Sequence, residues 1–318
     1  MKKKIVLCAA VLFTMSLLVG GIASAQTRLL IGTGGLSGVY YPIGGAIAQI
    51  ITKKVSGLEA TVQTSAAGLE NIRLLSLDQI DMGLVQNSDA YNAFQGLSNF
   101  QDKPIKNIRG VSVLYPQPIQ IIVQADSKIK SFYDLKGKRV GVGAPGSGEE
   151  NTFRRLMVAY NMTYKDMDAK MISLAEQTNQ FKDRHIDAMW YVSGLPASGI
   201  LDVASVLSIR MVPIMGKERD ALIKADPYFT KSTVKKGVYP GMTEDVETIA
   251  SPAYLICLEK LKTDDVYRIT KAMFENVKDI AAAHKQGEYI QLKTALVGST
   301  IPLHPGAEKY YKEAGLLK

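Results

Sequence analysis

Short runs of β-forming residues alternate with stretches of helical spacing through most of this chain, and that alternation narrows its fold more than any other feature. The strand-like runs are "RLLIGT", "EATVQT", "DMGLVQ", "IRGVSVLY", "IQIIVQ", "KRVGVG", "AKMISLA", "IDAMWYV" and "VLSIRMVPI". Between them lie stretches such as Ile43, Ile47, Ile50 and Ile51, or Leu69, Ile72 and Leu75, which return to one face of a helix. Strand and helix in alternation predict an α/β fold with mainly parallel sheets. Two long β runs stand apart: "YPQPIQIIVQADSK" at 115–128 and "TEDVETIASPAYLICLEK" at 243–260. Strands so far apart in sequence suit crossovers between two lobes, which places a first lobe at 26–115 plus 245–318 and a second lobe at 116–244. Beyond Leu261 the pattern turns helical, with Val266, Ile269, Met273, Val277 and Ile280 on one stripe. This helix is expected to pack back on the first lobe.

The chain opens as a secretory signal peptide does. Lys2, Lys3 and Lys4 form a charged start, Ile5 to Val19 an apolar run, and Ala23-Ser24-Ala25 a small-residue cleavage site. The run is about 15 residues where a membrane span needs about 20, so residues 1–25 read as a leader cut near Ala25 and the mature protein as periplasmic. Cleavage removes Cys8 and leaves Cys257 alone, so no intrachain disulfide forms and the fold rests on its core. With 47% hydrophobic and 21% charged residues the composition is globular. The formal charge of +8 is spread over scattered basic residues, with only short clusters such as "KGKR" at 136–139. Without aromatic interleaving this reads as a solvated surface with a mild lean towards anions, and no nucleic-acid partner is expected.

Two glycine loops carry most of the chemistry. In "IGTGGLSGVYYPIGG" the glycines at 32, 34 and 38 are spaced G-x-G-x-x-x-G, one residue too long for a dinucleotide fingerprint, and no Gly-Lys-Ser/Thr follows for a P-loop. The geometry that remains is a backbone able to approach a ligand closely, followed by a helix N-terminus whose free amides attract an anion. Ser37 adds a hydroxyl, and Tyr40 and Tyr41 offer flat walls with polar tips; a tight turn with core tyrosines would look the same. The second loop, "GVGAPGSGEEN", contains G-x-G-x-x-G at Gly141, Gly143 and Gly146, with Asp166 and Asp168 about 20 residues on. An exported protein has little access to cytosolic dinucleotides, so Gly146, Ser147 and Gly148 read better as a second helix N-terminus that donates amides. Glu149 and Glu150 suit the helix dipole but repel a nearby anion, so either they point away or one meets a ligand's ammonium group.

Polar residues also gather at other strand ends: Thr64, Ser65, Gly68 and Asn71; Gln86, Asn87, Ser88 and Asp89; Trp190, Tyr191 and Ser193. Carboxyl ends of strands line the ligand crevice in open α/β sheets, although each cluster alone is also what helix caps and core residues look like. Catalytic signatures are lacking. His185, His284 and His304 stand apart, no H-E-x-x-H or G-x-S-x-G occurs, and neither a cofactor nor a metal site is expected. His304, between prolines in "IPLHPG", reads as structural.

Several longer stretches resemble the TAXI solute receptors of TRAP transporters, extracytoplasmic proteins that serve a membrane permease. They are "GTGGLSGVYYPIGGAIA", "TSAAGLENIRLLSLDQIDMGLVQ", "DLKGKRVGVGAPGSGEENT", "IDAMWYVSGLP", "GVYPGMTEDVETIASPAYLIC" and "IPLHPGAEKYYKEAG", in family order through nearly all of the mature chain. The resemblance implies a two-lobed type II periplasmic-binding-protein fold with a crossover-strand hinge, no enzymatic activity, and a monomer that delivers a small carboxylate or amino acid to sodium-coupled TRAP permease subunits. Carried over by position, the ligand-binding residues are Gly35, Ser37, Gly38 and Tyr40; Ser65 and Gly68; Gln86, Asn87 and Ser88; and, from the other lobe, Ser147, Gly148 and Glu149 with Trp190 and Tyr191. Two departures bear on the solute: the family usually has Gln-Ser-Asp where this chain has Gln86-Asn87-Ser88, and a small hydroxyl residue where it has Glu149. Two alternatives remain: an exported hydrolase or oxidoreductase using the 141–146 loop, or a receptor of the same fold serving an ATP-driven importer.

Overall fold

A computed structural model describes residues 26–226 and 228–318. The expected signal peptide lies outside the described residues.

The first lobe starts with three strand and helix pairs: β1 (Thr27–Gly32) and α1 (Tyr40–Lys54), β2 (Leu58–Gln63) and α2 (Gly68–Ser76), β3 (Met82–Gln86) and α3 (Asn87–Gln95). β1 lies between β2 and β3 and runs parallel to both. Then comes β4 (Ile108–Gln124), which joins the runs "IRGVSVLY" and "IQIIVQ" in one strand of 17 residues. Its partner β10 (Val246–Leu258) returns antiparallel, pairing with β3 on one side and with Ile108 to Pro118 of β4 on the other.

Pro116 and Pro118 explain where β4 changes neighbours. Proline has no N–H for a ladder and is placed where pairing ends or shifts. Here Pro116 faces Pro252 and Pro118 faces Ala250, beside an irregularity in the register, and from Ile119 onward β4 belongs to another sheet. That sheet contains β5 (Arg139–Gly141), β6 (Asp168–Lys170), β7 (Ala188–Val192) and β8 (Ile209–Val212). β6, β5 and β7 are parallel, while β7 and β8 flank β4 antiparallel. Its helices are α4 (Gly148–Ala159), α5 (Leu174–Lys182), α6 (Ser198–Val206) and α7 (Lys217–Ala225). A further strand, β9 (Thr230–Val234), pairs with Val246 to Ala250 of β10. The result is two α/β lobes joined by two long antiparallel strands: the fold of the type II periplasmic binding proteins.

Each sheet has an apolar core on both faces, and alternation along the strands assigns the residues. In β10, Leu255 and Cys257 face one core of the first lobe, with Ile31, Ile43 and Ile47, while Tyr254 and Ile256 face the other, with Leu69, Ile72 and Leu75. The C-terminal stripe packs on the first of these cores but is not one helix. α8 (Thr263–Glu275) ends at Asn276, whose side chain donates to the Ala272 carbonyl at 2.8 Å, and α9 (Val277–Ala283) restarts beyond it. α10 (Pro305–Glu313) follows, with Pro305 in its first turn.

Candidate interlobe site

Helix N-termini from both lobes point at the gap between them, because each α/β turn puts the start of a helix at the carboxyl end of the preceding strand. α1 starts after the loop containing Gly35 and Gly38; α2 and α3 start at Gly68 and Asn87; from the second lobe α4 starts at Gly148, with the Ser147 hydroxyl accepting the Glu150 amide at 3.2 Å. The first-turn amides of a helix lack internal partners and carry the positive end of its dipole. The gap they face is therefore suited to an anionic group without any basic side chain.

The lobes are closed on one another. Thr152 of α4 donates to Gln86 at 3.0 Å, Asn151 to Asp89 Oδ1 at 2.9 Å, and the Ser198 hydroxyl to the Ser37 carbonyl at 3.0 Å. Between these contacts lies a cavity of about 20 Å³, space for roughly one water. Gly34, Gly35, Gly38, Val39, Tyr40 and Ala67 line it from the first lobe, Gln117 from β4, and Glu149, Leu174, Val192 and Ser193 from the second. The Tyr40 hydroxyl donates to Gln117 Oε1 at 2.9 Å, and burial raises its pKa.

Two carboxyl groups are enclosed here. Burial lifts Glu149 to about 7; its own amide and the Ser147 hydroxyl oppose the rise, and the charge of Asp89 adds to it. Burial likewise lifts Asp89 to about 6, against the pull of Arg155, Asn151 and Arg154. Asp89 is fully buried, and its Oδ2 accepts no hydrogen bond. That oxygen is wedged between two helix starts: a Cβ on Gly68 would stand 2.8 Å from it, and one on Gly148 2.7 Å. Glycine at both positions is what lets the lobes meet around the carboxylate.

The residues expected at the cleft divide into three groups. Gly35, Gly38, Tyr40 and Glu149 line the cavity, and Gly68, Gln86 and Gly148 surround Asp89 beside it. Ser37 takes part through its carbonyl, while Ser65, Asn87, Ser88 and Ser147 support the loops. Ser65 bonds to Thr33 and Asn71, Asn87 to Ser251 and Gly298, Ser147 caps α4, and Ser88 is buried in the first turn of α3. Against expectation, Trp190 and Tyr191 do not line the cavity, although Val192 of the same strand does: their side chains enter the cores on the two faces of the second sheet. Trp190 packs against Phe153 and donates its indole N–H to the Glu149 carbonyl at 3.0 Å, and the Tyr191 hydroxyl meets Thr178 at 2.6 Å in the opposite core. Trp190 thus holds the backbone of a cavity residue. Sequence reasoning missed Gln117 as a cavity residue and Gln120 as a bridge from β4 to Tyr239 and Ser193, although both interrupt an apolar β run, a signal for a polar task in the interior.

The 141–146 loop has a packing role. A Cβ on Gly141 would fall 2.5 Å from Gln177 Oε1, which accepts the Trp190 amide, and Gly143 has φ +100°, with Glu149 and the Glu150 amide 2.7 Å from where its Cβ would be. His304 caps α10 by accepting the Gly306 amide at 3.1 Å, with its other nitrogen on the Glu259 and Leu261 carbonyls. Among the described residues no group of three or more His, Cys, Asp or Glu is arranged to hold a metal, and no helix is long and apolar enough to cross a membrane.

The family assignment follows from a sequence pattern that matches residues 31–315 and so includes both lobes and the cavity between them. The chain belongs to the NMT1-like family. Solved structures share the fold of this NMT1-like protein. A Listeria monocytogenes chain described as an L-cystine ABC transporter is 16% identical, over 83% of this chain and 96% of that one, with a TM-score of 0.51. The ligand-binding component of an ABC-type import system from Staphylococcus aureus is 12% identical, over 92% and 93%, with a TM-score of 0.53. A Bordetella bronchiseptica RB50 protein is 16% identical, over 92% and 90%, also at 0.53. At such identities the likeness is one of fold.

Proposed function

We propose that this protein is a periplasmic solute receptor, not an enzyme, that closes its two lobes on a small amino acid and presents it to a membrane permease. The observation that carries the reading is the pairing of opposites in the cleft. Helix N-termini offer amides to a carboxylate, and Glu149, with Asp89 behind it, offers negative charge to an ammonium group. A dicarboxylate would satisfy the amides but meet two buried acids. An α-amino acid brings both charges, and its ammonium would offset the burial that raises Glu149.

The lobes must separate to admit any such solute, since the closed cavity holds about one water. We place the boundaries near 115 and 245, so that β4 and β10 bend while the cores on either side move as units. The mature protein acts as a monomer after cleavage near Ala25. The permease is of the TRAP type, a reading that rests on the sequence resemblance. An ATP-driven importer is the second reading, favoured by the ABC-type names of two fold relatives.

The test strips the mature protein of ligand by unfolding and refolding, then measures melting temperature against amino acids, dicarboxylates, keto acids and sulfonates. A solute at about 100 times its Kd adds roughly 2.7 kcal/mol of stability. Stabilisation by amino acids and not by their deaminated analogues is expected. Stabilisation by dicarboxylates alone would refute the role given to Glu149. Uptake into vesicles carrying the permease, driven by a sodium gradient or by ATP, separates the two transporter classes.

A further inference from the structure

Three more buried polar atoms without partners belong to residues grouped around Gly194. They are the Tyr115 hydroxyl on β4, the Ser193 hydroxyl just after β7, and Gln286 Oε1 from the segment following α9. Ser193 lines the cavity. Gly194, next in the chain, packs against the other two: its Cβ position lies 2.6 Å from Gln286 Cγ and 3.0 Å from Tyr115 Cε2. Buried polar atoms are nearly always hydrogen-bonded, since an unpaired one loses its hydration and gains nothing in return. Three orphans on side chains from three separate elements, grouped around one glycine beside the cavity, point to a common partner.

The chemistry of the three restricts that partner. Gln286 Nε2 donates to the Leu195 carbonyl at 2.6 Å, which fixes the orientation of the amide, because a flipped oxygen would face another oxygen. Gln286 Oε1 can then only accept, whereas the two hydroxyls can donate or accept. A carboxylate has no proton for Gln286 Oε1 and would meet it lone pair to lone pair. A carboxamide matches all three, its NH2 on Gln286 and its oxygen on the hydroxyls.

We propose that Tyr115, Ser193 and Gln286 form a subsite for the far end of the solute and select an uncharged group bearing a hydrogen-bond donor, a carboxamide above all, over a second carboxylate. This rests on the amino-acid reading of the cleft and adds the side-chain specificity to it.

The experiment measures calorimetric affinities of refolded protein for two matched pairs, L-glutamine with L-glutamate and L-asparagine with L-aspartate. In at least one pair the amide should bind about tenfold or more tightly, the size expected when one polar group loses its match. Tyr115→Phe and Ser193→Ala should each reduce that ratio several-fold. Neither hydroxyl has a partner in the protein, so the ligand-free variants should melt no lower than wild type, which separates a contact with solute from a structural role. No preference for the amide in either pair, or a ratio that both variants preserve, overturns the subsite while leaving the receptor reading intact. Failure of every amino acid to bind overturns both.

Discussion

Replacing Glu149 with glutamine should make stability less dependent on pH in a defined window. The folded state raises this carboxyl from an ordinary 4.5 to about 7, chiefly by burial. The folded chain therefore holds the proton more tightly than the unfolded chain, and stability is fully present below about 4.5 and lost as pH rises towards 7. A rise from 4.5 to about 7 corresponds to about 3 kcal/mol, complete above pH 7. Glu149→Gln keeps the shape and removes the titration. Wild type and variant should differ least at pH 4.5 and diverge up to neutrality, with the variant then more stable by about 3 kcal/mol, or roughly 5–10 °C in Tm for a chain of this size. Asp89 titrates in both proteins and cancels apart from its repulsion of Glu149. The assay is urea and thermal unfolding of ligand-free protein between pH 4.5 and 8.5. A stability difference that stays constant across that range would refute the buried placement of the carboxyl. The same free energy bears on function: opening the cleft rehydrates Glu149, so the empty receptor at neutral pH should favour the open form until an ammonium group compensates.

Gly148→Ala should act as a wedge, because the new Cβ would lie 2.7 Å from Asp89 Oδ2 and 3.0 Å from Gln86 Nε2, both on the opposite lobe. Calorimetry should show solute affinity falling roughly tenfold or more with the ligand-free Tm nearly unchanged, since alanine is tolerated in a helix; unaltered affinity would mean the lobes do not meet there. Trp190→Phe should cost roughly 2–4 kcal/mol in urea unfolding, through lost core volume and the lost indole bond to the Glu149 carbonyl. Trp190 is the only tryptophan, so wild-type fluorescence reports this position directly, and emission typical of a hydrated indole would contradict its burial.

Much of the architecture was legible because parallel strands buried on both faces read as continuous apolar runs, and all nine predicted runs lie in strands or overlap them. The merging of two of these in β4 was not, because its prolines read as a break. β9, "TKSTV", was invisible for the opposite reason: mostly polar, it relies on pairing with β10 and has little apolar surface of its own. The site was legible as loops and not as atoms. Glycine, serine and acidic residues at strand ends marked the cleft, but the same signal covered Ser65 and Asn87, which brace loops. Trp190 and Tyr191 were drawn in because an aromatic at a strand end looks the same whether it faces core or ligand.

The sequence by itself determined the alternation of strand and helix, the two long runs that became the lobe connection, and the glycine loops that start helices at strand ends. These are local properties, set by side-chain periodicity and backbone freedom within a few residues. Only the tertiary structure decided that Asp89 and Glu149, sixty residues apart and on different lobes, are both buried where the lobes meet, Glu149 lining the cavity and Asp89 beside it, and that Tyr115 and Gln286 pack against Gly194, next to Ser193. Such placements follow from which strands pair and how the lobes close. The energy that fixes them comes from the buried cores as a whole, and no short stretch of sequence contains it.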